Sequence, residues 1–214
     1  MTGEVAESWT GGDAARLERS LPQPGNREPA PGELALVQAF INSHHDLEFE
    51  WGADLFVTPA GLADWLARRH LVDATHAPLT RGDTRRAIAA REGLRALARA
   101  NNQPGRGEVA GAVASLNDAA RGAAVELRFA DDGPHFVAGA GLELDRALGA
   151  VLAIVAASMI EGRWSRLKVC PGERCGWAFY DHSRNLSGRW CSMAVCGGRT
   201  KARAHYRRSH GGGP

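Results

Sequence analysis

The sequence predicts a mainly helical α+β fold, a helical N-terminal domain with one β-hairpin followed by a small C-terminal finger of treble-clef-like order. Three observations carry this. Apolar residues recur at helical spacing in several segments between residues 33 and 160. A single turn, Asp131-Asp132-Gly133-Pro134, separates two short strand-like runs. All four cysteines, Cys170, Cys175, Cys191 and Cys196, fall within 27 of the 214 residues.

Residues 1–31 are rich in Gly, Pro and Glu without periodicity, which predicts a disordered leader. From Glu33 to Ser43 the residues Leu36, Val37, Phe40 and Ile41 line one helical face, and a polar loop follows. Thr58 and Pro59 supply an N-cap and a first-turn proline for a helix that turns Leu62, Trp65 and Leu66 inward. Thr80 to Asn102 is a long, Arg-rich amphipathic helix ended by Asn101-Asn102-Gln103-Pro104-Gly105. Another helix runs from Glu108 to Ala120, and the hairpin pairs Val125–Phe129 with His135–Val137. Leu142 to Ile160 closes the domain; its apolar stretch from Ala147 is too short for a membrane span, so a buried core helix is expected. The domains are therefore expected at 32–162 and 163–209, with a flexible tail at 210–214.

Two C-x4-C pairs separated by 15 residues offer four soft thiolates in two knuckles, the ligand set of a closed structural Zn2+ site. The chain opens without a basic stretch ahead of an apolar one, so reduced thiols in a soluble, cytoplasmic protein are expected rather than disulfides. Five residues along a helix turn by about 500°, so Cys191 and Cys196 cannot both be mid-helix ligands. Cys191 is expected in a turn and Cys196 at the entrance of the last helix. Between the pairs, Gly176–Tyr180 reads as a strand, with Trp177 and Phe179 in the small core and Tyr180 exposed; the zinc tetrahedron is complete without His182.

Charge is strongly asymmetric. From Arg163 onward there are 11 Lys and Arg against two Asp and Glu, whereas residues 1–162 hold 15 against 22. A helix over Arg199–Arg208 fans out Arg199, Lys201, Arg203, Arg207 and Arg208, with Ala202 and Tyr206 placed to dock on the finger. With Arg184 and Arg189 from the preceding loop, these are the expected nucleic-acid-binding residues, able to meet phosphates and guanine edges.

The string from Cys170 to Arg208 resembles the CGNR zinc-finger family. It carries C-x4-C, the aromatic strand with Asp181, Ser183-Arg184-Asn185, Arg189-Trp190-Cys191-Ser192-Met193 and Cys196-Gly197-Gly198-Arg199. Upstream, Phe40-Ile41-Asn42-Ser43 and Leu55-Phe56-Val57-Thr58-Pro59 resemble the ABATE domain that precedes this finger. The resemblance implies a stress-induced transcription regulator whose finger binds DNA and whose N-terminal part senses a signal. One position departs from it: the family's signature Asn is Gly198, so either a helix cap or a polar contact is replaced.

No nucleophile with a base, no phosphate loop and no open metal position is visible, so a non-enzyme is expected. The leading reading is a DNA-binding regulator with one structural Zn2+, whose N-terminal domain senses a small-molecule effector or mediates association. The other reading is a non-catalytic zinc module for RNA or protein contact. Asn42, Trp51 and Trp65 are the candidate effector-binding residues, a polar anchor with apolar walls.

Overall fold

The computed structural model describes residues 23–44, 54–72, 77–102 and 109–210. Among the described residues, six α-helices and two two-stranded sheets make up a mainly helical α+β fold, as expected. Helix α1 is Leu34–Asn42 and α2 is Pro59–Ala67, the latter capped by Thr58, whose hydroxyl accepts from the Gly61 N–H. Helix α3, Arg81–Ala100, opens with a capping box in which Thr80 and Asp83 satisfy each other's main-chain donors. Helix α4 is Val109–Ala119 and α5 is Glu143–Ile160. Strands β1 (Val125–Ala130) and β2 (Gly133–Ala138) form the antiparallel hairpin, joined by Asp131-Asp132. The chain ends with β3 (Leu167–Val169), β4 (Ala178–Tyr180), a π-helical turn at Met193–Gly197 and helix α6, Gly198–His210.

The main core joins α1, α2, α3 and α5 through residues such as Leu36, Phe40, Phe56, Leu62, Leu94, Leu148 and Val151. No helix of the described residues is long and apolar enough to cross a membrane. Strand β3, missing from the sequence reading, pairs antiparallel with β4 in the register Leu167 to Tyr180, Lys168 to Phe179 and Val169 to Ala178. A strand of three residues is too short to show a period of its own.

This small hairpin is buried on both faces. Leu167, Val169, Ala178 and Tyr180 belong to the helical core, while Trp177 and Phe179 pack with the four cysteines in a second cluster. Trp177 and Phe179 thus occupy the expected place. Tyr180 does not: it is buried, because strand alternation turns it toward the helical domain. The finger and the helical domain therefore share a core across the boundary expected at residue 162.

Residues 23–31, expected as part of an unstructured leader, lie on the finger instead. Arg27 donates to the carbonyls of Cys191, Tyr180 and Trp190 at 3.1, 3.3 and 2.9 Å, and its guanidinium sits 4.7 Å from the Phe179 ring centre. Three carbonyl partners and a ring face match the planar fork of an arginine. Residues 1–22 and the expected tail from 211 lie outside the described residues.

Candidate metal centre and basic helix

The first knuckle is the turn between β3 and β4. The Cys170 N–H bonds to the Trp177 carbonyl at 2.8 Å, and the Cys175 N–H to Gly172 at 3.1 Å, so Cys170 and Cys175 face the same point. Gly176 follows with φ of 64°, the left-handed conformation that lets the chain leave the knuckle into β4. The second knuckle is the π-helical turn. Ser192 caps it by accepting from the Val195 N–H, and the Cys196 and Gly197 N–H groups both bond to the Ser192 carbonyl. Cys191 precedes this turn and Cys196 lies at the entrance of α6, the two places expected from helical geometry.

All four Sγ atoms lie within 4.8 Å of one another, with Cys175 and Cys196 each 3.6 Å from Cys191. A tetrahedron of zinc–sulfur bonds has edges of about 3.8 Å, so the cluster fits this metal. Contact with the Cys170 and Cys175 sulfurs, then burial, pushes the Cys191 thiol up, and burial pushes the Cys196 thiol up. A divalent cation reverses both tendencies by neutralising thiolate charge in place. The four cysteines hold one structural zinc ion, with Trp177, Phe179 and Trp190 closing over it.

The loop after β4 is locked by a buried ion pair. Lys168 donates to Asp181 at 2.7 Å and to the Leu186 and Gly188 carbonyls at 2.5 and 3.1 Å. Asp181 also accepts from the Ser183 N–H and hydroxyl and from the Gly188 N–H. A Cβ on Gly188 would stand 2.6 Å from the Asp181 carboxylate, so this close approach needs glycine. Burial opposes the Asp181 charge, but Lys168 and Ser183 outweigh it and hold the carboxyl at about 2.

The expected nucleic-acid residues divide into groups. Arg184 is exposed on the locked loop, and Arg189 is exposed with its guanidinium 5.5 Å from the Trp190 ring centre. Arg199, Lys201, Arg203 and Arg208 are exposed along α6, where Arg203 pairs with Glu173 of the first knuckle. Arg207 lies in α6, but its side chain is outside the described residues. Ala202 and Tyr206, expected to dock on the finger, are both exposed, Tyr206 by 63%.

Of the expected effector-binding residues, Asn42 is engaged with β4. Its amide donates to the Ala178 carbonyl at 2.9 Å and accepts from the Ala178 N–H at 2.7 Å, pairing with β4 as a neighbouring strand would. Trp65 is buried elsewhere, edge-on to Phe40 and Phe56 with ring centres 5.7 and 5.4 Å away. Trp51 lies outside the described residues.

Sequence reading missed the side chains that join the helical domain to the finger. Arg95 reaches from α3 to the Gly176 carbonyl at 2.5 Å and to the Ile41 and His44 carbonyls at 2.6 and 2.5 Å. Asn101 donates to the Trp164 and Leu167 carbonyls, and Asn102 to those of Val169 and Arg189. The two asparagines that read as helix breakers are also latches onto β3.

A family model matches residues 34–162, that of ABATE, described as "Putative stress-induced transcription regulator". The chain belongs to the ABATE family. Behind the ABATE region, residues 166–209 match the CGNR zinc finger, so the metal cluster lies within a known finger type. No curated protein matches this ABATE protein at a significant level. The families place it among zinc-binding regulatory proteins and are not families of known enzymes. Gly198 stands where the π-helical turn runs into α6, with φ −62° and ψ −48°, and its N–H bonds back to the Met193 and Val195 carbonyls of the turn.

Proposed function

We propose that this ABATE protein is a stress-responsive transcription regulator that binds DNA through α6 and the loop bearing Arg184 and Arg189. Its helical domain serves as the sensing or associating part, and its reduced thiols suit the cytoplasm. The carrying observation is that every described side chain from Lys201 to Ser209 is exposed, on a helix that springs directly from the zinc knuckle. Such a helix presents a row of cations anchored at one end by a rigid metal site, which suits insertion along a phosphate-lined groove. Both acidic residues of the finger are engaged, Asp181 by Lys168 and Glu173 by Arg203, so little negative charge opposes a phosphate backbone.

The test is a titration of the zinc-loaded full chain with duplex DNA at several salt concentrations. Contact with about six phosphates gives a log–log salt slope near −5. Lys201→Glu combined with Arg208→Glu is expected to weaken binding about tenfold or more at low salt while leaving the zinc content unchanged. Salt-insensitive or absent DNA binding would overturn this reading in favour of an RNA or protein partner.

A further inference from the structure

Strand β1 has a free edge whose residues are complementary to a second copy of themselves. Ala130 and Gly133 flank the two-residue turn, and at the other end the Gly139 N–H bonds to the Ala124 carbonyl at 2.8 Å. Opposite residues in an antiparallel pair alternate between exchanging both main-chain bonds and exchanging none. The bonded pairs are therefore Ala130 with Gly133, Arg128 with His135 and Glu126 with Val137. Val125, Leu127 and Phe129 consequently turn their N–H and C=O groups away from β2. Among the described residues no other strand pairs with β1, and every β1 residue is exposed.

The outer edge of β2 is blunted. Pro134, opposite Phe129, has no N–H at a position that faces outward, and β2 is the strand that lies on α5. The hairpin is thus open for strand addition on the β1 side.

Charge selects the register of a β1–β1 pair. Setting Leu127 against Leu127 of the second copy places Val125 opposite Phe129 and Glu126 opposite Arg128, in both directions, with about six main-chain hydrogen bonds. A slide of two residues either way sets Glu126 against Glu126 or Arg128 against Arg128 and shortens the overlap. Glu126 and Arg128 already share one face, 3.3 Å apart. Val125, Leu127 and Phe129 share the other face with Pro134 and Phe136. That face overhangs a groove of about 750 Å³ floored by Ala153, Ala157 and Ile160 of α5, leaving Phe129 79% and Ile160 74% exposed. A two-fold axis perpendicular to the sheet brings both apolar faces to the same side, so each Phe129 gains the other copy's Val125 as a neighbour.

The geometry points to a homodimer built by antiparallel β1–β1 pairing, giving one continuous sheet in the order β2-β1-β1-β2. This deepens the association role proposed for the helical domain and rests on that half of the proposal alone, not on DNA binding.

Sedimentation of the zinc-loaded full chain without DNA, from low to high micromolar concentration, is expected to show a dimer. Glu126→Arg and Arg128→Glu, both at exposed positions, each set like charges face to face and are expected to weaken the dimer about 30-fold. Mixing the two variants restores opposite charges across the pair, so a heterodimer forms, and the double exchange E126R/R128E recovers the homodimer. Leu127→Pro, whose lost N–H faces away from β2, abolishes the dimer while circular dichroism and zinc content stay unchanged. A chain that remains monomeric, a dimer unmoved by the single exchanges, or a mixture that fails to recover would each overturn the pairing. A DNA titration on the same samples separates the two proposals, since a DNA-binding monomer refutes only the dimer and a dimer without DNA affinity refutes only the reader.

Discussion

Asp181 carries more structural weight than a single loop residue would suggest, because its carboxylate and Lys168 together satisfy the chain from Ser183 to Gly188. Removing one partner of a buried ion pair leaves the other charge uncompensated, so Lys168→Ala is expected to cost about 3–5 kcal/mol, measured by urea unfolding at saturating zinc. The folded carboxyl, held at about 2, lies below the ordinary value of about 3.9. Its contribution is therefore complete above pH ~4 and is lost as pH falls toward about 2; it amounts to about 2–3 kcal/mol. The stability gap between the natural protein and Asp181→Asn should close over that window; a gap that is flat with pH would contradict the assignment. The arginines on α3 teach a different lesson. The sequence marks the helix only as Arg-rich and amphipathic, and in the structure Arg91 is 1% exposed, bonded to Asp54 at 2.6 and 2.8 Å, and Arg95 is bonded to three distant carbonyls. Carbonyl partners leave no mark in a hydropathy pattern, so such burial is legible only from the fold. Arg95→Lys keeps the charge but loses the fork, and is expected to destabilise the protein by about 2 kcal/mol in the same assay.

Elements defined by local chemistry were the legible ones. The Thr58 cap with Pro59 and the turn joining β1 to β2 each act within four residues, and the structure has both, although the turn expected over Asp131-Asp132-Gly133-Pro134 narrows to Asp131-Asp132 because Gly133 and Pro134 pair as part of β2. The knuckles followed from cysteine spacing and helical geometry in the same way. Strand β3 was hidden because its pairing with β4 is made by the fold rather than by its own three residues. Helix α6 was legible as a helix but not in its placement, since nothing in its sequence tells whether Tyr206 reaches a surface to pack on. A 13-residue helix whose described side chains from Lys201 to Ser209 are exposed is marginal in water. Its amides are expected to exchange with solvent faster than those of α3 in the free protein and to slow when DNA is added, as read by hydrogen exchange. Gly198→Ala places a Cβ 3.6 Å from the Met193 carbonyl, an ordinary contact, and is expected to raise the stability of this end by about 0.5–1 kcal/mol.

For the molecule as a whole, the hairpin β3–β4 belongs to two cores, with Ala178 and Tyr180 on one and Trp177 and Phe179 on the other. A fragment from residue 163 onward would expose Leu167, Val169, Ala178 and Tyr180, so it is expected to stay unfolded or aggregate even with zinc, in contrast to a free-standing finger. Removing zinc from the full chain with a chelator should lower the midpoint of thermal unfolding of the helical domain as well as dissolve the finger. Unchanged unfolding of the helices would show two independent units. The shared hairpin also couples the part that carries the metal to the part that carries the groove. Through that coupling a signal arriving at the helices reaches the finger as a change in free energy, and such linkage is reciprocal. Whatever tightens the helical domain, a second copy included, must raise the affinity for zinc by the same factor by which zinc strengthens it, so the metal's binding constant becomes a gauge of the state of the domain behind it.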